Sequence, residues 1–157
     1  MDLGLKGKKV LVTGSTKGLG RAIAEAMLAE GASVAICARN AEEVAAAVTE
    51  MSKLGKVVGA SVDAADPEAL RAWVASSAEQ LGGIDVYVHN TSGKPARKLE
   101  AWINNFNIDL MSLVHGVDAA KEALANGGGS VISIGTTATS EHFASGSGSY
   151  SAMKSAV

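Results

Sequence analysis

The chain reads Thr13-Gly14-Ser15-Thr16-Lys17-Gly18-Leu19-Gly20 directly after a short apolar run and directly before a segment of helical period. Glycines at such a junction allow a tight turn and let the backbone approach a phosphate group closely. The free N–H groups and the positive end of the helix dipole then attract the anion. The alternative interpretation is an ordinary strand-to-helix turn. Because three glycines fall at one junction, the stretch predicts a nucleotide-binding loop.

The rest of the chain alternates apolar runs of strand length with longer segments of helical period, which is typical of βαβ units around a parallel sheet. Strands are predicted at residues 9–13, 33–38, 57–62, 84–88 and 130–134. Helices are predicted over residues 18–30 and 100–125, after the N-cap candidates Asn40 and Asp66, and from residue 149 onward. The predicted fold class is α/β, a doubly wound parallel sheet of Rossmann-like type in one domain over residues 1–157.

Apolar residues recur at helical spacing within the predicted helices, and these positions predict the faces that pack on the sheet. They are Leu19, Ile23 and Met27 in the first helix, Val44, Val48 and Met51 in the second, Leu70, Trp73 and Val74 in the third, and Trp102, Phe106, Leu110 and Val114 in the long fourth helix. We expect the opposite face of each helix to meet solvent.

The composition excludes several classes of protein. The 157 residues are 47% hydrophobic and 19% charged, and 14 Lys and Arg against 16 Asp and Glu give a net charge of -2. Such a balance provides no general attraction to nucleic acid or to an anionic membrane. The lone Cys37 forms no intramolecular disulfide, and no Cys/His spacing suggests a metal site. With no signal peptide or membrane span in the sequence, we expect a cytoplasmic protein.

The spacing Gly-x3-Gly-x-Gly after Thr13 differs from the Gly-x-Gly-x2-Gly fingerprint and resembles that of the short-chain dehydrogenase/reductase family. Asp63, after the third strand, resembles the adenine-contacting Asp of that family, and Asn90 resembles part of its Asn-Asn-Ala-Gly element. Tyr150-Ser151-Ala152-Met153-Lys154 matches its Tyr-x3-Lys pair. The resemblance extends through essentially the whole chain. It implies an oxidoreductase that transfers a hydride between a nicotinamide cofactor and a carbonyl or secondary alcohol.

The resemblance assigns the proton chemistry to Tyr150 and Lys154. A lysine ammonium one helical turn from a tyrosine stabilises the phenolate, so Tyr150 is able to exchange a proton with the substrate oxygen. Lys154 is also implied to hydrogen-bond the nicotinamide ribose hydroxyls. The alternative is that the two residues are a solvated pair on an amphipathic helix.

Two positions depart from the pattern of the resembled family. The serine that holds the substrate oxygen is replaced by threonine, at Thr136 when counted from the strand and at Thr137 when counted back from Tyr150. Asp109 stands where an asparagine normally helps to hold a water beside the lysine. Asp109 is therefore expected to pair with Lys154, to bind water, or to mark weakened catalysis.

The end of the second strand predicts NADP in preference to NAD. An NAD enzyme usually places an acidic residue there for the adenosine ribose, whereas this chain has Ala38 followed by Arg39. Arg39 suits a planar, charge-assisted contact with a 2′-phosphate, and Lys17 in the glycine loop adds a second positive charge. Each residue taken alone would be interpreted as a surface cation.

Members of the resembled family usually continue beyond the Tyr-x3-Lys pair, so we expect this chain to lack the carboxyl-terminal strands and helices. The expected partners are a small carbonyl or alcohol substrate and further copies of the chain, in a dimer or tetramer. His142 is a candidate for the substrate pocket. The alternative function is a nucleotide-binding sensor or scaffold with little turnover. A flavodoxin-like FMN protein is disfavoured by the glycine loop and by Arg39.

Overall fold

The computed structural model of the protein describes residues 3–94, 98–126, 128–141 and 148–157. The strands in this part of the chain are β1 (Lys9–Thr13), β2 (Ser33–Ala38), β3 (Val57–Ser61), β4 (Val86–His89) and β5 (Ser130–Ser133). The helices are α1 (Gly18–Ala29), α2 (Ala41–Met51), α3 (Pro67–Leu81), α4 (Leu99–Asn105), α5 (Ser112–Ala125) and α6 (Gly148–Ala156). A π-helical segment (Phe106–Met111) joins α4 to α5, and a 3-10 turn (Thr137–Thr139) precedes α6. No helix among these residues is long and apolar enough to cross a membrane.

The five strands form one parallel sheet in the order β3-β2-β1-β4-β5. The chain adds β2 and β3 on one side of β1 and then returns to add β4 and β5 on the other side. The loops that leave the carboxyl ends of β1 and β4 therefore diverge toward opposite faces of the sheet. Ligands of open α/β sheets bind in the crevice at such a switch point. The predicted α/β fold class is confirmed.

Helices cover both faces of the sheet, because alternate residues of the buried strands point to opposite sides. On one face α3 and α5 pack against β1 and β4 around Leu11, Leu70, Trp73, Tyr87 and Leu124. On the other face α1 and α2 pack around Val10, Val12, Leu28, Ile36 and Met51. The predicted apolar face of α3 is confirmed, since Leu70, Trp73 and Val74 are all buried.

Two helices begin where the sequence predicts. The Asp66 side chain accepts hydrogen bonds from the backbone N–H groups of Glu68 and Ala69 at 2.9 and 3.1 Å, and Pro67 occupies the first helical position. The Asn40 side chain caps α2 in the same way. These caps satisfy N–H groups that have no partner within the helix, and they fix where α2 and α3 leave the sheet.

The predicted faces of two other helices are confirmed only in part. In α1 Ile23 and Met27 pack against the core as partly buried residues, whereas Leu19 is exposed. The fully buried residues of α1 are Gly20, Ala24 and Leu28, and Gly20 approaches the neighbouring loop too closely for a side chain. In the long helix Trp102, Phe106 and Val114 are 39%, 42% and 48% exposed. The π-helical segment contains more residues per turn than an α-helix, so residues spaced by four on either side of it no longer share a face. The buried residues there are Asn105, Ile108, Asp109, Ser112, Gly116, Ala120 and Leu124.

Helix α5 approaches β4 at a glycine. A Cβ atom added at Gly116 would lie 1.9 Å from the Tyr87 hydroxyl oxygen and 2.5 Å from its Cζ. Tyr87 is fully buried, and its hydroxyl has no hydrogen-bond partner among the described residues. Burial raises the pKa of Tyr87, so the side chain stays neutral. Only glycine therefore allows this separation between the helix and the strand.

We expect Gly116→Ala to lower the free energy of unfolding by about 1–3 kcal/mol, because overpacking outweighs the roughly 1 kcal/mol that alanine gains in helix propensity. Urea denaturation followed by circular dichroism measures the change. Gly148→Ala is the matched control, since the single described atom that its Cβ would meet is Trp102 Cζ2 at 3.5 Å. Tyr87→Phe should partly restore the stability of Gly116→Ala. Equal stability of Gly116→Ala and the parent would contradict the close packing.

His89, the last residue of β4, is fully buried. Its Nε2 lies 2.9 Å from the main-chain oxygen of Asp109, and because a carbonyl only accepts, Nε2–H is the donor. Burial, and next the positive charge of Lys154, lower the pKa of His89 to about 4. The imidazole is therefore neutral in the folded protein at neutral pH.

This lowered pKa makes the fold sensitive to mild acid. Between the ordinary histidine pKa of about 6.5 and the folded value of about 4, the unfolded chain binds more protons, so stability falls as the pH falls. We expect His89 to account for a loss of about 2 kcal/mol between pH 7 and pH 5. Urea midpoints at the two pH values should differ less in His89→Gln than in the parent. His115→Gln, at a partly exposed histidine on α5, should keep the difference. An unchanged difference in His89→Gln would refute this assignment.

Candidate functional site

The glycine loop between β1 and α1 needs all three of its glycines. Gly14 and Gly18 adopt φ values of +62° and +58°, in the left-handed region that other residues avoid. A Cβ atom at Gly20 would lie 2.3 Å from Asn90 Nδ2 and 2.4 Å from the Gly14 oxygen. The loop is therefore shaped by close backbone contacts, as a phosphate-binding turn requires.

Asn90 joins the loop after β4 to the loop after β1. Its side-chain Nδ2 donates to the main-chain oxygens of Thr13 and Gly14 at 3.1 and 2.9 Å. In return, the Thr13 hydroxyl oxygen accepts from the backbone N–H groups of Asn90 and Thr91 at 3.0 and 3.1 Å. The two loops at the switch point are thus held as one unit. Asn90, predicted as a cofactor contact, has this positioning role in the structure.

Ser15 is directed away from the crevice. Its buried hydroxyl donates to the Val12 oxygen at 2.6 Å and accepts from Cys37 N–H at 3.2 Å. The Ser15 N–H also donates to the Cys37 oxygen at 3.1 Å. Since these bonds occupy the side chain between β1 and β2, it stabilises the loop from beneath. Neither Ser15 nor Leu19, which is 57% exposed on α1, lines the cavity that opens beside the glycine loop.

A cavity of about 400 Å³ opens beside the glycine loop at the carboxyl ends of the strands. The predicted cofactor residues that line it are Gly14, Thr16, Lys17, Arg39, Asp63 and Asn90. Further lining residues that sequence reasoning missed are Asn40, Glu43, Thr91, Ser92 and Ile108, among others. Asn40 and Glu43 have the three-residue spacing of a helix capping box. This spacing was the sequence signal that could have placed both residues at the start of α2, beside the end of β2. The size and position suit an elongated polar ligand at the switch point.

The cations of this cavity differ in their surroundings. Arg39 is exposed at the end of β2, and no carboxylate among the described residues forms an ion pair with it. Lys17 Nζ lies 3.5 Å from Glu43 Oε2. The Thr16 hydroxyl donates to the same oxygen at 3.3 Å. Asp63 is exposed on the cavity wall, and its Oδ1 accepts from Ala65 N–H at 3.0 Å.

Lys154 and Tyr150 lie one turn apart on α6. Lys154 is 5% exposed, and its Nζ donates to the Ile134 oxygen at 3.0 Å and lies 3.6 Å from Asp109 Oδ1. Tyr150 is half-buried, and no described residue hydrogen-bonds its hydroxyl. The pair thus combines a buried ammonium held by two oxygens with a hydroxyl that has no hydrogen-bond partner in the described part of the chain.

Asp109 pairs with Lys154, which was one of the three expectations for it. The π-helical segment places this carboxylate in a fully buried position. Its Oδ1 accepts from the Ser92 hydroxyl at 2.7 Å and from Gly93 N–H at 3.2 Å, and its Oδ2 lies 3.3 Å from the same N–H. Because Ser92 also lines the cavity, this network connects the cavity to Lys154. No sequence signal pointed to Ser92.

The two candidate threonines differ in what their hydroxyls do. The Thr136 hydroxyl accepts from Ala138 N–H at 3.3 Å and caps the 3-10 turn. Thr137 is exposed, and no described residue hydrogen-bonds its side chain. Thr137 is therefore the threonine with a hydroxyl open to a ligand. His142 lies outside the described residues.

A metal site would require several ligating side chains close together. In residues 3–94, 98–126, 128–141 and 148–157, no group of three or more His, Cys, Asp or Glu side chains is placed to hold a metal ion. The arrangement as a whole offers two functions: anion binding at the glycine loop and proton exchange at Tyr150.

Known proteins resemble this chain in sequence. The family model described as short chain dehydrogenase matches residues 8–157. Isoepoxydon dehydrogenase patN from Penicillium expansum is 38% identical over 126 residues, which are 76% of this chain and 48% of that protein. The chain spans about half the length of the curated relatives it matches.

Solved structures agree with the sequence comparison. L-sorbose reductase from Gluconobacter frateurii, complexed with NADPH and L-sorbose, superimposes with a TM-score of 0.92 at 28% identity, covering 99% of this chain and 62% of that one. Carveol dehydrogenase from Mycobacterium avium, in complex with NAD, gives a TM-score of 0.87 at 28% identity, covering 96% and 61%. Together with the match over residues 8–157, these similarities show that the chain belongs to the short-chain dehydrogenase family.

Proposed function

We propose that the chain carries the cofactor site and catalytic pair of an NADP-dependent oxidoreductase that interconverts a carbonyl and a secondary alcohol. The observation that carries this proposal is the connection between the two halves of the site. Ser92 lines the cavity beside the glycine loop and donates to Asp109, which pairs with Lys154 one turn from Tyr150. Tyr150 and Lys154 do not themselves line the cavity, so a ligand would have to extend past Ser92 to reach the proton-exchanging group.

The cavity fits a nicotinamide dinucleotide. Gly20 cannot carry a side chain beside Asn90 and Gly14, and the 400 Å³ space opens directly next to this close contact. Gly14, Lys17, Arg39, Asp63 and Asn90 would hold the cofactor. When bound, the nicotinamide supplies or accepts the hydride.

Support for NADP over NAD comes from the end of β2. Arg39 is exposed there without an ion pair among the described residues, and no acidic side chain follows β2 directly. A guanidinium in that position suits a phosphate, whereas the ribose hydroxyls of NAD call for a carboxylate. The similar structures include complexes with NADPH and with NAD, so the preference rests on this chain's own residues.

The proton chemistry follows from Tyr150 and its neighbours. The Tyr150 hydroxyl would donate its proton to the oxygen of a carbonyl substrate and remove it again from the alcohol in the reverse direction. The Lys154 ammonium stabilises the phenolate that forms, and Thr137 supplies a hydroxyl to hold the same substrate oxygen. Lys154 stays in place because Ile134 and Asp109 hold its Nζ.

A second function, a nucleotide-binding sensor or scaffold with little turnover, is favoured by one observation. The Asp109 carboxylate lies 3.6 Å from Lys154 Nζ, so its negative charge offsets the charge that would support a phenolate. Such a protein keeps the cavity and loses the acid/base function.

We infer that residues 1–157 act as one nucleotide-binding domain of a cytoplasmic homo-oligomer with a small-molecule substrate. Val131 and Ile132 on β5 are 46% and 40% exposed, which supports further protein contacts at this edge of the sheet.

A fluorescence titration with NADPH and NADH tests the cofactor proposal, with NADPH oxidation against a panel of ketones and quinones as the test of turnover. We expect saturable binding that favours NADPH. A folded chain that binds neither nucleotide would refute the cofactor assignment. Binding without turnover by any substrate would favour the sensor.

Tyr150→Phe should lower turnover by about 10²–10⁴-fold, because it removes the group that exchanges the substrate proton. The dissociation constant for NADPH should change less than about twofold, since the hydroxyl is one of many contacts. Steady-state kinetics and the same titration measure both effects. Tyr87→Phe, at the other tyrosine of the chain, is the control and should keep full activity. Full activity in Tyr150→Phe would overturn the assigned role.

Asp109→Asn should raise kcat for carbonyl reduction by about tenfold, because the uncompensated Lys154 charge then stabilises the phenolate left by proton donation. Steady-state measurement of NADPH oxidation at saturating substrate gives kcat, and single-turnover stopped flow verifies that the chemical step is the one that changes. Ser92→Ala removes a donor to Asp109 without changing any charge and should not raise kcat. A lower kcat in a folded Asp109→Asn variant would show that the carboxylate is needed for turnover.

A further inference from the structure

A carboxylate borders the end of the cavity where Lys17 and Arg39 lie. Glu43, in the first turn of α2, lines the same cavity as both cations. Its Oε2 lies 3.5 Å from Lys17 Nζ and accepts from the Thr16 hydroxyl at 3.3 Å. Glu43 thus connects α2 to the glycine loop beside the cavity, and the proposed binding and proton chemistry assign it no role.

The local fold fixes this carboxylate in place. The Asn40 Oδ1 accepts from the backbone N–H groups of Glu42 and Glu43 at 2.9 and 3.1 Å, so α2 begins immediately after β2. An acidic side chain in the first turn is stabilised by the positive end of the helix dipole. Glu42 shares this helical turn but does not line the cavity. The position of Glu43 is therefore a consequence of the cap, and its partner Lys17 lies on a different element.

The two cations at this end of the cavity are not equivalent as a result. Lys17 already has a carboxylate partner, whereas Arg39 has no ion pair among the described residues. A phosphate that approaches both cations has to share Lys17 with Glu43 or displace it. A ligand with only ribose hydroxyls at this point does not compete for Lys17.

We propose that Glu43 is a selectivity-determining residue that weakens binding of nucleotides with a phosphate on the adenosine ribose. The carboxylate acts by neutralising Lys17 and by repelling the incoming phosphate, so it sets how strongly the cavity prefers NADP to NAD. This inference rests on the proposed function, because it takes the Lys17 and Arg39 end as the adenosine end of the cofactor.

The effect is expected to be moderate. The side chains of Lys17 and Glu43 are 81% and 44% exposed, so water and salt screen their attraction. We expect removal of the Glu43 charge to tighten binding of a 2′-phosphorylated ligand by about threefold to tenfold. Affinity for the corresponding ligand without that phosphate should change less than about twofold.

The test is calorimetric titration of the full 157-residue chain with 2′,5′-ADP and with 5′-AMP, which differ only in the 2′-phosphate. Glu43→Gln should tighten binding of 2′,5′-ADP and leave 5′-AMP nearly unchanged. Glu42→Gln is the matched control, because it changes the net charge equally from the same helical turn. Repeating the titrations with NADPH and NADH should give the same ratio, and high salt should reduce it.

A second pair of variants tests whether the effect passes through Lys17. In a Lys17→Met background, Glu43→Gln should tighten 2′,5′-ADP binding less than in the parent, since the shared cation is missing. Thermal unfolding of each variant verifies the fold.

Two outcomes would overturn the inference. Equal effects of Glu43→Gln and Glu42→Gln would assign the change to net charge alone. Weaker binding of both 5′-AMP and 2′,5′-ADP in Glu43→Gln would make Glu43 a ribose ligand. A parent chain that prefers NADH would instead contradict the proposed NADP preference, and the change in ratio caused by Glu43→Gln would still decide the role of Glu43.

Discussion

The side-chain amide of Asn90 joins the carboxyl ends of β1 and β4 by hydrogen bonds, and the geometry of the cavity depends on this attachment. The amide donates to the main-chain oxygens of Thr13 and Gly14. The Thr13 hydroxyl oxygen accepts two hydrogen bonds from backbone N–H groups of the loop after β4. Gly20 leaves room for the amide, so the first turn of α1 lies against the same group. Each of these contacts uses backbone groups that would otherwise be unsatisfied at the edge of the sheet. These hydrogen bonds consequently hold the loop, the helix N-terminus and β4 in one arrangement.

From this attachment a continuous polar path leads to Lys154, one turn from Tyr150 on α6. Thr91 and Ser92 follow Asn90 along the cavity wall, Ser92 bonds to Asp109, and Asp109 meets Lys154. The charges along the path are paired rather than isolated, which limits the cost of burying Asp109 and Lys154. The loop that follows β4 therefore contacts both the glycine loop and the Asp109–Lys154 pair.

Sequence reasoning predicted the elements that depend on local chemistry. The caps at Asn40 and Asp66 and the glycine loop are set by neighbouring residues, and the sheet follows from the strand rhythm. The sequence-based predictions differ from the structure where contacts between residues far apart in the sequence determine burial and hydrogen bonding. Leu19 continues the spacing of the core-packed Ile23 and Met27 but is exposed, and Gly20, which lies against Asn90, is the buried residue at this end of α1. The role of Ser15 beneath the loop and the pairing of Glu43 with Lys17 likewise depend on contacts across different elements.

The π-helical segment between α4 and α5 lets one residue serve two neighbours. The main-chain oxygen of Asp109 receives the His89 N–H from the sheet, while its carboxylate faces Lys154 on α6. Because the wider turns depend on the number of residues in the segment, removing one residue would turn the following side chains by about 100°. Chain length in this segment is thus itself a determinant of the chemistry: an insertion or deletion would disconnect the acid from both neighbours without replacing any amino acid of the site.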